Sequence, residues 1–570
     1  MEPLTTQVPV ATAVIPAWAE ELRGRYLAGE AIQFLLHGNV HDLVPFEGEF
    51  ITLREFLVRG LLNTKDVILF YDASEGLSFA RPEMKERFFK ALNVRMAVLG
   101  ELPVTQIPQE PSELLPILED FLLTPGVRAA LVLDFVESIV PTGDVGFLSR
   151  SDRANLITLQ RWAKEPALLA SDNVVVLVTE NIADVNKRIT QSPQVVPVGI
   201  PMPDEVDRLA LIEHRLKAHP IALELTPQQL ARTTSGLRRI QLDNLFRQAR
   251  KSGVPVTFEL VSAKRKEIIE TECFGLVELV DSRHGLDAVG GMEGVKEVLM
   301  LAASAIREGK SRHVPMGIML VGPMGTGKSF LAEAFAKESG LTCLALKNFR
   351  EKWVGSTEGN LEKILGIVRA LGNVMIIVDE VDRALGGEDG DSGTSSRVFA
   401  KIKAFMADTS QRGKVLWLVM TNRPDKLDID LKRPGRFDQK IPLFFPKTSE
   451  ERERIFRALL HKNRVEADLP DLSEAVAATE GYSGAELEAI VLLADQVAGL
   501  RGATLVTAVD VQAAVEDFIP NRNRRMIEYM ELLAVFECSS RRLLPEVFRS
   551  LTNEELQERL NELEAELGIG

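Results

Sequence analysis

At 570 residues the chain is too long for one hydrophobic core and points to about three to five folding units. Apolar residues make up 45% and charged residues 26%, the composition of a globular protein and not of a disordered or fibrous one. A net charge of −15 disfavours a phosphate-neutralising surface, and no apolar run approaches the ~20 residues that cross a bilayer, so nucleic-acid coating and membrane spanning drop out first.

Residues 1–24 form an N-terminal segment without the basic start and apolar run of a signal peptide. Cys273, Cys343 and Cys538 lie too far apart for a disulfide framework or thiol zinc cluster, which fits a reducing, cytoplasmic setting. Residues 25–252 then alternate buried-strand runs with helices. "AIQFLLHGNVHDLV" reads as a strand and loop, "RAALVLDFVESI" as a strand ending in Asp134, and "NVVVLVTENIADVNKRI" as a further strand. "VPVGIPMPDEVDRLALIEHRL" and "TSGLRRIQLDNLFRQA" supply a last strand and helices. His37 and His41 with Asp42 are metal-ligand types at i, i+4. They follow a strand, however, where one helical face is not guaranteed, and read better as loop histidines.

Residues 253–284 are a linker that opens on a Gly-Val-Pro turn and continues as a charged helix, and residues 285–445 carry the strongest signal. "GIMLVGPMGTGKSFLAEAFAKESG" is a strand, a glycine-rich turn and a helix. Gly322, Gly325 and Gly327, with Pro323, Met324 and Thr326 between them, let backbone N–H groups curl around a β-phosphate. Lys328, where the helix starts, reaches the β and γ oxygens, Ser329 offers a hydroxyl to Mg²⁺, and Phe330 counts with them among the nucleotide-binding residues. In "NVMIIVDEVD" the strand tip places Asp379 for the metal and Glu380 for the attacking water. "KVLWLVMTNRP" brings Asn422 to the neighbouring strand end, near the γ-phosphate. "DLKRPGRFDQKIPL" supplies Arg433 and Arg436 on a turn that need not reach its own phosphate. The set reads as an ATP- and Mg²⁺-dependent hydrolase site.

On these motifs, with "LDAVGGMEGVKE" ahead of them and "GYSGAELEAI" behind, residues 285–520 resemble an AAA+ ATPase of the protein-remodelling clade that includes FtsH, katanin and the proteasomal ATPases. The resemblance implies a P-loop subdomain to 445 and a helical lid over 446–520. It implies Asn422 as a sensor, and Val289, Gly290, Gly291, Gly484 and Ala485 around adenine and ribose. It also implies Arg433 and Arg436 as fingers acting on the next subunit of a homo-oligomeric ring, normally of six. "FMADTSQ" departs from the family's Met-Asp-Gly pattern before the sensor strand. The first half repeats the same order with its chemistry removed: His37-Gly38-Asn39 lacks the lysine, and Phe135 follows Asp134 where Glu is required. The fold class expected is therefore α/β, two tandem AAA+ modules each with a lid, the first degenerate. That layout is similar to a family of AAA proteins of plastids, cyanobacteria and other bacteria.

Residues 521–570 read as a helical C-terminal tail, a docking helix or a solvated one, with Thr552 and Glu555 as a capping box. "NFREKWVGSTEGN" places Lys352, Trp353 and Val354 where the resembling clade has its pore loop. Trp353 grips a client polypeptide, stacks on bases, or anchors a core. The acidic "GGEDGDSGTSSR" nearby favours protein over nucleic acid. The expectation is an unfoldase-type ATPase acting on a client polypeptide. The rivals are an ATP-switched scaffold and, further off, a nucleic-acid motor. No HExxH follows, so no zinc protease is fused.

Overall fold

A computed structural model describes residues 15–346, 358–382 and 393–569. The chain forms two compact units that change over inside the helix Phe258–Glu272. The first holds residues up to Arg265 together with Glu358–Ala370, and the second holds the remainder.

The first unit is built on β1 (Gln33–Gly38), β2 (Val67–Asp72), β3 (Gly76–Phe79), β4 (Ala129–Leu133), β5 (Val174–Val178) and β6 (Val195–Ile200), in the order β3-β2-β4-β5-β1-β6. All neighbours are parallel except the β2–β3 hairpin. β4 and β5 are uninterrupted apolar runs, buried at every residue, as parallel strands covered on both faces require. Helices Glu205–Ala218, Pro227–Thr233 and Arg239–Ser252 follow and close a smaller core around Leu211, Leu230, Leu242 and Phe246.

The second unit repeats the plan with β7 (Val277–Leu279), β8 (Gly317–Val321), β9 (Thr342–Leu346), β10 (Val374–Val378), β11 (Val415–Thr421) and β12 (Gln439–Pro442), ordered β12-β8-β11-β10-β9-β7. In both sheets the five parallel strands run 5-1-4-3-2 in chain order. Both also end on an antiparallel strand beside the second one. The source of that edge strand differs. In the first sheet it is the return of a hairpin; in the second it is β7, from the stretch read as charged helix and linker, which turns to strand at Val277.

Helices Ser449–Lys462, Ser473–Ala478, Gly484–Leu500 and Ala508–Asp517 form the second lid, with Thr448/Glu451 and Ser483/Glu486 capping boxes starting two of them. The C-terminal helices Arg524–Glu537 and Asn553–Leu567 pack on each other through Leu532, Leu533, Leu556, Leu560 and Leu563. They dock on the second unit next to β12, where Glu531 pairs with Lys447 at 2.7 Å. No described helix is long and apolar enough to cross a membrane.

Candidate functional site

The site lies at the C-terminal ends of β8, β10 and β11, where a parallel sheet delivers consecutive loops to one place. Gly322 closes β8. A Cβ there would stand 2.2 Å from the carbonyl oxygen of Leu443, so only glycine lets the loop start this close to the next strand. The loop then enters the helix Lys328–Ser339 at Gly327, which leaves the first N–H groups of that helix without helical partners, a ready-made phosphate cradle. The Lys328 ammonium donates to Asn422 Oδ1 at 2.6 Å and to the carbonyls of Pro323 and Gly322 at 2.7 and 2.8 Å. Burial pushes its pKa down to about 8 against the pull of Asp379, Asp382 and Glu380.

Ser329 Oγ donates to Asp379 Oδ2 at 3.2 Å, which puts a hydroxyl and a carboxylate side by side. Oxygen donors of this kind suit Mg²⁺, and they are the two residues expected to hold it. Glu380 follows with φ +46°, in the left-handed region that non-glycine residues avoid, and its N–H donates to Asp379 Oδ1 at 2.8 Å. Asp382, which the sequence reading passed over, accepts from Thr421 Oγ1 at 2.7 Å and so fixes the strand end that carries Asn422. Its signal was its place one helical step past the Asp-Glu pair.

The residues expected around the base also lie close to the loop. Ala485 N–H donates to Gly325 O at 3.0 Å. A Cβ on Gly484 would come within 3.3 Å of that same oxygen. Gly290 packs so tightly that a Cβ would fall 2.6 Å from Ile455 Cα, while Val289 O accepts from Lys296 and Gly291 lies beside Ile455. Phe330 carries the Lys462 ammonium 4.4 Å above its ring, and Thr326 is buried against Pro323 O; Met324 is exposed. Arg433 is not gathered in. Its side chain is 70% exposed and pairs with Asp430 at 3.1 Å, and Arg436 donates to Asp430 O at 2.7 Å. Lys352, Trp353 and Val354 lie outside the described residues, as does most of the acidic loop after them.

The first unit shows the same frame with other occupants. Gly38 closes β1 as Gly322 closes β8, with a Cβ 2.8 Å from Ile200 O. The strand registers then set Glu180 at the place of Asn422, and Asp134 and Phe135 at those of Asp379 and Glu380. Phe135 has φ +51° and stacks on His41, ring centres 5.6 Å apart. Six residues past Gly38, where Lys328 would fall, stands Val44, and the chain enters a β-hairpin instead of a helix. Asp42, 4% exposed, caps the helix Arg239–Ser252, accepting from Arg239 N at 3.0 Å and Ile240 N at 2.8 Å. Glu180 pairs with Arg238 at 2.5 Å; burial, the largest influence, pushes its carboxyl up, but the bond and charge of Arg238 together with Lys363 and His41 leave it below the usual range. Burial raises the pKa of Asp134.

Three family descriptions match the chain. Residues 8–201 match the N-terminal Rossmann-like domain of AAA+ chaperones, and residues 206–274 match their second helical domain. Residues 318–444 match the ATPase family associated with various cellular activities. The chain is similar to a cell division cycle protein 48 homolog of Archaeoglobus fulgidus, 27% identical over 397 residues, which covers 63% of this chain and 53% of that protein. It is 33% identical over 266 residues to a proteasome-activating nucleotidase of Methanocella arvoryzae, with 44% and 63% covered. It is 37% identical over 216 residues to the human ATPase family gene 2 protein homolog A, with 35% and 24% covered. The matches thus span between half and two thirds of the length of the first two relatives and about a quarter of the third.

Proposed function

We propose, from the premise that the chain belongs to the AAA+ ATPases, that it hydrolyses ATP with Mg²⁺ to remodel other polypeptides as a ring of identical chains, six by family expectation. The observation that carries the reading is the meeting, from three separate strand ends, of two adjacent hydrogen-bonded pairs, Lys328 with Asn422 at 2.6 Å and Ser329 with Asp379 at 3.2 Å. Lys328 and the loop N–H groups bind the phosphates, and Asn422 holds the ammonium in place and faces the γ-phosphate. Glu380 orients and deprotonates the attacking water. Ser329 and Asp379 would hold Mg²⁺, which when bound would supply positive charge against the phosphate oxygens. Arg433, exposed, and Arg436, half-buried against Asp430 O, suit a neighbour's ATP better than their own. Lys352, Trp353 and Val354 are the proposed pore loop that grips the client.

The capped first unit favours a second reading, an ATP-switched scaffold. One set of assays separates the two. Glu380→Gln should keep ATP binding and lower turnover about 10²- to 10⁴-fold, the usual worth of a general base. An unfolded client should raise wild-type turnover, and Trp353→Ala should abolish that response without lowering the melting temperature. A core tryptophan would instead cost about 3–5 kcal/mol. Normal turnover in Glu380→Gln sinks the catalytic assignment, and indifference to every client leaves the scaffold.

A further inference from the structure

The turn that carries Arg433 and Arg436 is tied to the rest of the second unit by one buried carboxylate from the C-terminal helices. Glu537, with its side chain 9% exposed, places Oε1 at 2.5 Å from Lys432 Nζ and Oε2 at 2.9 Å from Lys440 Nζ. Lys432 immediately precedes Arg433 and also donates to Pro424 O at 3.1 Å, two residues past Asn422. Lys440 lies in β12, hydrogen-bonded to β8, the strand that runs into the phosphate loop. A single acid therefore joins the start of the finger turn, the segment leaving the sensor and the edge of the sheet.

We infer that Glu537 is a positioning residue for the fingers, so that the C-terminal helical pair sets the aim of Arg433 and Arg436; this rests on the shared-site reading above. The bonds inside the turn, Arg433 and Arg436 to Asp430 and Gly435 N–H to Asp438, hold its shape but not its direction. Its far end is fixed separately, where Asp438 accepts from Met316 N–H and Arg412. Polar anchorage of the near end runs through Asp428, which pairs with Lys403 at 2.5 Å at the start of the turn, and then through Lys432, the anchor next to Arg433 itself. Without the carboxylate, two half-buried ammonium groups face each other and repel, and Lys432 moves to water with the arginine attached to it. The helix itself does not depend on Glu537. Glu531 binds Lys447, Ser539 N–H donates to Lys440 O at 3.1 Å, and the Tyr529 ring lies 5.3 Å under the Arg423 guanidinium. Glu537→Gln thus releases the turn and leaves the helix docked.

The test is a subunit-mixing assay on full-length chains. A misaimed finger loses about 10²-fold in kcat, the cost of an ångström-scale misplacement. The KM for ATP should hold, because the subunit's own phosphate loop is untouched. Glu537→Gln subunits have a good site and badly aimed fingers, whereas Lys328→Ala subunits have good fingers and no site. Mixing the two should restore turnover; mixing Glu537→Gln with Arg436→Ala should not. Lys432→Met, which removes the cation instead of the acid, should behave the same way and serves if Glu537→Gln misfolds. Arg436→Ala mixed with Lys328→Ala is the control. If the control fails, the shared site itself is wrong. If the control works while Glu537→Gln keeps wild-type turnover, or stays dead beside Lys328→Ala subunits, the positioning role is overturned.

Discussion

Lys328 is a half-buried cation whose charge the fold tolerates more than it favours. With its pKa at about 8, against 10.5 for a free lysine, the folded chain carries fewer protons than the unfolded one between those values. The sign follows: below about pH 8 burial of the charged amine costs stability in full, and the cost is relieved as pH rises towards the unfolded value. Phosphate oxygens reverse the balance by favouring the ammonium. ATP affinity should therefore hold below about pH 8 and weaken above it, with a proton taken up per ATP bound near pH 9. Calorimetry in two buffers of different ionisation enthalpy reads this directly, and equal heats in both would count against it. The strained φ of Glu380 carries a different lesson. Phe135 shares it in a place with no glutamate chemistry, so the kink belongs to the strand-end geometry of this fold and was not introduced for catalysis.

At the scale of elements, the first unit ties its strand-end loop to the helix that follows with a carboxylate. Asp42 satisfies the two N–H groups that open Arg239–Ser252, and Arg239 adds an ion pair to Asp207 at 2.8 Å. In the second unit one backbone bond, Ala485 to Gly325, joins loop to lid at the corresponding place. Asp42→Ala should cost about 1–2 kcal/mol as a lost helix cap. At about 2–4 °C per kcal/mol for a domain of this size, a melting scan with and without ATP checks it. The loss should be the same in both, and an unchanged melting point would show the cap to be idle. Much of this frame was legible in the sequence, because parallel strands buried on both faces leave uninterrupted apolar runs and a phosphate loop has fixed punctuation. Hidden were the partnerships of Asp42, Asp382 and Glu537. Each is one acid among 82, and only the folded chain tells which cation or N–H it meets. The tail could be read as helix, docked or solvated, and the choice between the two stayed open because Leu556 and Leu560 mark an apolar face without naming what covers it.

Across the whole molecule, one strand order serves twice, once with a lysine-bearing glycine loop after its first strand and once with a β-hairpin there, and each sheet is finished by an antiparallel strand on the same flank, a hairpin return in the first and a strand from the linker in the second. That finish has a practical consequence. β7 comes from the linker, so a boundary drawn at 285 cuts away the piece that covers β9 and leaves its N–H and C=O groups bare along an apolar sheet. A recombinant piece beginning at 285 should precipitate or form sticky multimers, while one beginning at 274, only eleven residues longer, should stay monodisperse in light scattering. Equal behaviour of the two would mean the flank needs no cover. If they differ, the short stretch Phe274–Gly285 is less a tether between halves than the selvedge of the second one, the woven border that stops a fabric from unravelling into its neighbours.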